Sequence, residues 1–120
     1  MTDLSSFLSD AGYSESILEK GLAGLVQDWE KTVKELEKGW TLDWEDFANE
    51  VDGRRIIDEI VKAFPAATPT NLLQLDLRFR AATTMDACIW GAEVAQDEGW
   101  NSMQHWYYFR VPKSGFPSKA

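Results

Sequence analysis

The stretch that decides the fold is residues 14–39, which read SESILEKGLAGLVQDWEKTVKELEKG. Its large apolar residues recur at steps of three and four, at Leu18, Leu22, Leu25, Trp29, Val33 and Leu36. Such spacing places them on one side of an α-helix, so it predicts a helix whose apolar stripe faces the core. Ser16 followed by Glu19 has the form of a capping box at the start, and Gly39 is typical of a helix end.

Two further helices are predicted directly after this one. Thr41 can cap a short second helix, and the turn-forming pair Asp52-Gly53 is predicted to end it. A third helix then covers residues 54–64, because its isoleucines and valine again recur at helical spacing. Pro65 stops that helix, since proline disfavours helical backbone at the residue before it.

The rest of the chain, from residue 65 onward, predicts one more helix and an extended end. Thr68-Pro69 has the form of a cap followed by proline at the first helical position, and the helix can reach Asp97. The aromatic and β-branched run at 105–111 predicts a short extended segment, and residues 113–120 a loose tail. Together these patterns predict a single all-α domain over residues 1–120, with four main helices and a short extended C-terminal segment.

Size and cysteine content indicate where such a domain works. A chain of 120 residues is long enough to bury a proper core without disulfides. Its single cysteine, Cys88, has no partner for an internal disulfide, which indicates a reducing compartment. The first residues lack the basic start and apolar run of a signal peptide, and no apolar stretch is long enough to cross a membrane. We therefore expect a cytoplasmic protein.

The net charge of −8 is distributed unevenly. Residues 1–61 contain 15 acidic and 6 basic side chains, whereas residues 62–120 contain 5 acidic and 6 basic ones. Acidity of this kind opposes nucleic-acid binding, which needs lysine and arginine to neutralise phosphates. It favours a basic protein partner through charge complementarity, although acidity can also serve solubility alone.

No catalytic or cofactor motif is present in the sequence. One histidine and one cysteine cannot assemble a zinc site, and the glycines are dispersed rather than grouped into a phosphate-binding loop. We therefore predict no metal, no cofactor and no enzymatic activity. The catalytic alternative that composition permits is a carboxylate pair, for example among Glu45, Asp46 and Glu50.

The densest charge in the chain is an acidic belt of seven carboxylates within residues 43–59. Asp43, Asp46 and Glu50 follow each other at steps of three and four, so they are predicted to share one helix face. Acids beside aromatic anchors suit the docking of a basic protein. The predicted partner-binding residues are Trp40, Asp43, Trp44, Asp46, Glu50 and Asp52. The alternative is a solvated acidic face beside two core tryptophans.

A second polar feature lies on the fourth predicted helix. Asp76 falls on the apolar side of that helix, and a buried aspartate needs a partner. Arg80, four residues later, and Arg110 are the predicted partners, which makes the three residues a structural network. Alternation along the C-terminal run would send Trp106 and Tyr108 to one side and Tyr107 to the other.

The second half of the chain resembles a group of small, acidic bacterial immunity proteins that are encoded beside contact-dependent or polymorphic toxins. The likeness is carried by Leu75-Asp76-x-Arg78-Phe79-x-x-x-Thr83, a later tryptophan, and Trp106-Tyr107-Tyr108-x-Arg110-Val111-Pro112. It covers about 40 residues, and it implies a cytoplasmic protein with one cognate toxin as ligand and no enzymatic activity.

Charge and resemblance lead to one functional hypothesis. An acidic helix face can occupy the positively charged, phosphate-binding active site of a nuclease toxin. We therefore expect an immunity protein that neutralises a basic nuclease toxin by masking its active site. The alternative is a non-enzymatic interaction subunit or a homo-oligomer, for example a homodimer, whose aromatic residues form the interface.

Overall fold

A computed structural model of the chain describes residues 4–116. The helices are α1 (Leu4–Asp10), α2 (Glu15–Glu37), α3 (Trp44–Ala63), α4 (Leu72–Ala82) and α5 (Ala92–Glu98). Strands β1 (Thr83–Met85) and β2 (Arg110–Pro112) pair antiparallel, and two 3-10 turns cover Pro65–Ala67 and Trp106–Phe109. The predicted all-α, four-helix class is confirmed, although the chain is divided among its helices differently.

Helix α2 confirms the apolar stripe and departs from the prediction at its start. Leu25, Trp29 and Leu36 are buried, with Trp29 only 1% exposed. Ser14 is the N-cap but makes no side-chain capping bond, so the predicted box of Ser16 and Glu19 does not form. Gly21 bends the helix, because its backbone has φ 61° and ψ −174°, a conformation that side chains with a Cβ rarely adopt.

Helix α3 merges the second and third predicted helices, so the predicted break at Asp52-Gly53 is wrong. Val51 and Ile57 are both fully buried on either side of the pair, and the helical backbone runs through it. Burial of a continuous apolar face outweighs the poor helix propensity of one Asp-Gly step. The cap is Asp43 rather than Thr41, and the helix ends before Pro65 as predicted.

Helix α4 is much shorter than predicted. It begins at Leu72 after the N-cap Asn71, because the Thr68 hydroxyl instead donates back to the carbonyl of Pro65 at 2.7 Å. It ends at Ala82, and the next residues form β1. The β-branched pair Thr83-Thr84 favours extended backbone, and β2 offers a partner edge that sequence periodicity does not show.

The C-terminal segment is extended only in part. Arg110–Pro112 forms β2, which confirms an extended end, but Trp106–Phe109 is a 3-10 turn. The predicted alternation of sides is therefore wrong, and Tyr107 and Tyr108 are both fully buried. Phe116, assigned to the loose tail, contacts Phe47 with ring centroids 5.6 Å apart, which ties residues 113–116 to the core. Residues 117–120 of that tail lie outside the described part.

The core lies where α2, α3 and α4 meet. Trp29, Phe47 and Phe79 contribute one large ring each, with Phe79 4.6 Å from Trp29 and 6.2 Å from Phe47 between centroids. All three side chains are 1% exposed or less. Among the helices described, none combines the length and the apolar character that a membrane crossing requires.

Candidate functional site

Some of the predicted partner-binding residues near the start of α3 stabilise the fold, and others are exposed. The Asp43 carboxylate accepts a hydrogen bond from the backbone N–H of Asp46 at 2.9 Å, so Asp43 caps the helix. Trp40 is only 5% exposed, and its ring packs edge-on against Phe47 at 5.4 Å. The prediction of Trp40 as a docking anchor is therefore wrong, because its ring is already enclosed in the core.

Trp44 is the tryptophan that reaches the surface. It is the first residue of α3 and is 41% exposed. Its ring packs edge-on against Trp90 at 5.4 Å, and Trp90 donates its indole N–H to Asp52 at 3.1 Å. A half-exposed tryptophan that is fixed by a second ring can bury apolar area against a partner with little loss of entropy.

Asp52 and the two carboxylates of the acidic belt after it are partly buried and take part in contacts within the fold. The Asp52 carboxylate accepts a second hydrogen bond from the Tyr108 hydroxyl at 2.5 Å, and Arg55 donates to that hydroxyl at 2.9 Å. Arg55 also pairs with Glu59 at 2.9 Å, and Asp58 pairs with Lys62 at 3.0 Å. Asp52 and Asp58 accept hydrogen bonds from the hydroxyls of Tyr108 and Tyr107, which joins the C-terminal segment to α3. The prediction of Asp52 as a partner contact is not supported by this arrangement, because one of its oxygens accepts two internal bonds.

Burial of this network shifts the ionisation of its tyrosines. Burial, followed by the hydrogen bond to Asp52, raises the pKa of Tyr108 well above its ordinary value. Burial is also the main cause that raises the pKa of Tyr107, with Asp58 beside it. Burial and the hydrogen bond to Glu59 raise the pKa of Tyr13 to about 12. The three hydroxyls are therefore neutral at pH 7 and donate hydrogen bonds to the carboxylates beside them.

Three carboxylates of the belt remain on the outer side of α3. Glu45 and Asp46 are exposed, and within residues 4–116 neither carboxylate accepts a hydrogen bond or forms an ion pair. Glu50 is half-buried and accepts a hydrogen bond from the Thr32 hydroxyl of α2 at 2.9 Å. Burial first, and then repulsion from Glu35 and Asp46, raises the pKa of Glu50 above its ordinary value. We call Glu45, Asp46 and Glu50 the outer face of α3, and Trp44 is the first residue of the same helix.

A groove of about 620 Å³ runs beside this face between α2 and α3. We call it the α2–α3 groove. The apolar residues that line it are Ile17, Leu25, Trp29 and Ile56, and the carboxylates are Asp28, Glu35, Glu50 and Asp52. Lys20 and Lys31 are its basic lining residues, and Lys20 pairs with Asp28 at 2.6 Å. Sequence reasoning missed Glu35 and Gly53 as members of this site.

The structural network around Asp76 exists, but the predicted partners are wrong. Asp76 accepts two bonds from Arg54, Nε to Oδ1 at 2.9 Å and Nη2 to Oδ2 at 2.8 Å, and one from Trp29 Nε1 at 3.0 Å. Arg80 instead places its guanidinium 4.1 Å from the Trp106 ring centroid. Arg110 donates to the Thr83 hydroxyl at 2.8 Å. The helix crossing, which sequence spacing does not encode, brings Arg54 to Asp76.

His105 and Cys88 do not form a reactive pair in the described chain. His105 accepts a hydrogen bond at Nδ1 from the backbone N–H of Asn101, 3.3 Å away. Burial, followed by the charge of Lys62, lowers the pKa of His105. Across residues 4–116, no three histidine, cysteine or acidic side chains are grouped closely enough to hold a metal ion.

Comparisons with protein-family models, with curated proteins and with solved structures found no match to this chain. The resemblance to bacterial immunity proteins therefore remains a prediction from residues 75–112. What the structure defines is a class, an all-α domain with a small two-stranded sheet, an acidic outer face on its third helix and a groove beside it.

Proposed function

We propose that this chain is a non-enzymatic binding protein of the immunity type, which neutralises a basic nuclease toxin by masking its active site. The observation that carries the proposal is the outer face of α3. Glu45, Asp46 and Glu50 contribute carboxylates there that form no ion pair within residues 4–116, and the half-exposed Trp44 is the first residue of the same helix. Unneutralised acids around an aromatic anchor fit a basic surface by charge and by apolar contact.

The proposed mechanism is electrostatic occupation of a phosphate site. A nuclease holds its substrate with positively charged groups, and an acidic helix face offers the same charge as the nucleic acid it replaces. The excess of acid in residues 1–61 also speeds encounter with such a partner. A cytoplasmic location is part of this proposal, since a single buried cysteine, Cys88, suits a reducing compartment.

The experiment titrates the purified protein into a nuclease reaction run with the C-terminal domain of the protein that the reading frame immediately upstream encodes. We expect one-to-one inhibition that nucleic acid competes away. The inhibition should weaken with salt, because the screening length falls from about 10 Å at 0.1 M to about 3 Å at 1 M. Full nuclease activity at a molar excess of this protein would overturn the proposal.

Two triple variants locate the effect on the outer face of α3. Glu45→Gln, Asp46→Asn, Glu50→Gln removes its three charges and should slow association with the toxin domain. Asp10→Asn, Glu15→Gln, Glu19→Gln removes the same number of charges from exposed positions of α1 and α2 and should leave association nearly unchanged. An equal loss in both variants would mean that net charge alone drives binding. A purified hydrolytic activity that only the first variant lacks would contradict the non-enzymatic function.

Association of two copies is the second candidate function, and one observation favours it. Leu73 and Leu77 lie four residues apart on α4 and are 72% and 56% exposed. Two apolar side chains one turn apart form a stripe that can pack against another helix. If this stripe forms a homodimer, sedimentation should give twice the mass of the chain, and Leu77→Glu should return it to the monomer.

A further inference from the structure

Gly53 lines the α2–α3 groove, and neither its backbone conformation nor its packing requires a glycine. Its φ is not positive, so its backbone does not require glycine. A Cβ built there meets no atom within 4 Å, so no packed neighbour excludes a side chain. Glycine inside a helix is less stable than alanine. Its missing side chain leaves open space where Gly53 lines the groove.

Two carboxylates along the same groove, Glu35 and Glu50, form no ion pair within residues 4–116, whereas Asp28 pairs with Lys20. The Oε2 atom of Glu35 is buried, and it accepts no hydrogen bond from any residue in the described range. Glu50 feels repulsion from Glu35 and Asp46 that Lys31 only partly offsets. Buried acceptors normally have donors, and a nearby opposite charge favours an ionised carboxylate that a like charge disfavours. The groove therefore favours the entry of a positively charged donor.

The groove also has an apolar floor. Leu25 and Trp29 of α2 line it together with Ile56 of α3, and all three side chains are at least nine-tenths buried. A long basic side chain carries an apolar stem before its charged end, and such a stem packs against apolar surface. A guanidinium, with its planar fork of donors, matches two carboxylates better than an ammonium does.

We propose that the α2–α3 groove receives one arginine side chain of the basic partner, whose backbone crosses at Gly53 and whose guanidinium lies between Glu35 and Glu50. The inference rests on the proposed function, because it assigns that partner its contact residue. It assigns the centre of the interface to the groove, with the outer face of α3 as its acidic edge.

The first experiment uses a small probe and needs no toxin. The isotope-labelled protein is titrated with N-acetyl-arginine amide and, separately, with the neutral isostere N-acetyl-citrulline amide, and backbone amide shifts are followed. We expect saturable shifts at Thr32, Glu35 and Gly53 with the arginine compound alone. Glu35→Gln should abolish them, whereas Glu19→Gln, at an exposed position outside the groove, should not. Equal shifts with citrulline, or shifts that Glu35→Gln leaves intact, would overturn the inference.

The second experiment separates binding from folding by adding one methyl group. Gly53→Ala should raise the melting temperature, since alanine favours a helix and nothing obstructs its Cβ. The same change should weaken binding of the arginine compound roughly tenfold, in the range expected for a blocked central contact. Gln74→Ala, at an exposed site on α4, serves as the control and should leave binding unchanged. Unaltered binding by the stabilised Gly53→Ala protein would rule out a close approach at this position.

The lysine analogue of the probe and the nuclease assay distinguish the remaining outcomes. Tighter binding of N-acetyl-lysine amide would overturn the assignment to arginine. Inhibition of the nuclease domain by a protein that binds no arginine compound would overturn the groove and leave the proposed function standing. Arginine binding in the groove without inhibition would support the groove assignment and overturn the proposed function.

Discussion

Arg54 of α3 and Asp76 of α4 form a two-pronged ion pair inside the fold, with N–O distances of 2.9 and 2.8 Å. Asp76 also accepts the indole N–H of Trp29 from α2, so one carboxylate joins the three helices that form the core. The guanidinium carbon lies 5.5 Å from the ring centroid of Tyr107 and 5.8 Å from that of Trp106. These aromatic faces attract the cation, although Arg54 Nη1 has no acceptor within residues 4–116.

Removal of one member of this pair should be strongly destabilising. Asp76→Ala leaves the Arg54 charge buried without a counter-ion, and such changes lower the free energy of unfolding by roughly 3–5 kcal/mol. Urea denaturation followed by tryptophan fluorescence measures the loss. Glu37→Ala is the matched control, because its pair with Arg78 is exposed, and the unfolding midpoint should hardly move.

The double variant Arg54→Met, Asp76→Leu tests the physical reason for that loss. It replaces both charges with apolar side chains, so no buried charge is left unpaired. We expect it to be more stable than Asp76→Ala although it differs from the natural chain at two positions. If Asp76→Ala is the more stable of the two, the pair contributes through its packing rather than through its charge.

We expect substitution of Thr83 to be much more destabilising than the same substitution of the adjacent Thr84. The Thr83 hydroxyl donates to the carbonyl of Phe79 at 2.8 Å and accepts from Arg110 Nε at 2.8 Å, and the side chain is 1% exposed. Thr83→Val removes both bonds and leaves the Arg110 donor without its acceptor, a loss of about 1–3 kcal/mol in unfolding free energy. Thr84→Val, at the exposed neighbouring position of β1, should leave the thermal midpoint unchanged or slightly raised.

The helical class was predictable because the spacing of apolar residues along one helix indicates which of its faces is buried. The stripe of α2 from Leu25 to Leu36 is local information, and it is buried as predicted. The break at Asp52-Gly53 was predicted from the local turn preference of those two residues, but packing of Val51 and Ile57 in the core decides the helix instead. A correct prediction would have extended the apolar face across the pair.

The candidate site was predictable only in part, because its contacts join distant residues. Asp46 and Glu50 lie on the predicted helix, where Asp46 is exposed and Glu50 is half-buried against Thr32. Trp40 and Trp44 look equivalent in the sequence, yet one is enclosed by Phe47 and the other lies half-exposed against Trp90. Spacing along a helix cannot tell which of two tryptophans faces a neighbour 46 residues away.

The tyrosines predict how the protein responds to alkali. Each of the three has a pKa raised above 10.0, and that of Tyr13 is about 12. The folded state therefore holds these protons more tightly than the unfolded state, whose tyrosines ionise near 10. Their stabilisation is fully present below pH 10 and is lost as the pH rises through the folded pKa values. Tyrosinate absorbance should stay low at pH 10 and rise together with unfolding. A tyrosine that titrates near pH 10 while the circular dichroism stays native would contradict the arrangement at its hydroxyl.

Glu50 also has a raised pKa, but it is ionised at neutral pH. Its charged form is less stable in the folded protein than in the unfolded chain. Because its folded pKa lies above the ordinary 4.5, the folded state binds this proton more tightly, and ionisation of Glu50 lowers stability as the pH rises through that range. Glu50→Gln keeps an oxygen that can accept the Thr32 hydrogen bond and removes the charge. We expect a higher unfolding midpoint for the variant at pH 7, with the difference shrinking at pH values below 4.5, where both side chains are neutral. Glu19→Gln is the control and should show no such pH-dependent difference. A natural chain as stable as the variant at pH 7 would mean that Glu50 already has a compensating cation, and the case for an unneutralised groove would then be lost.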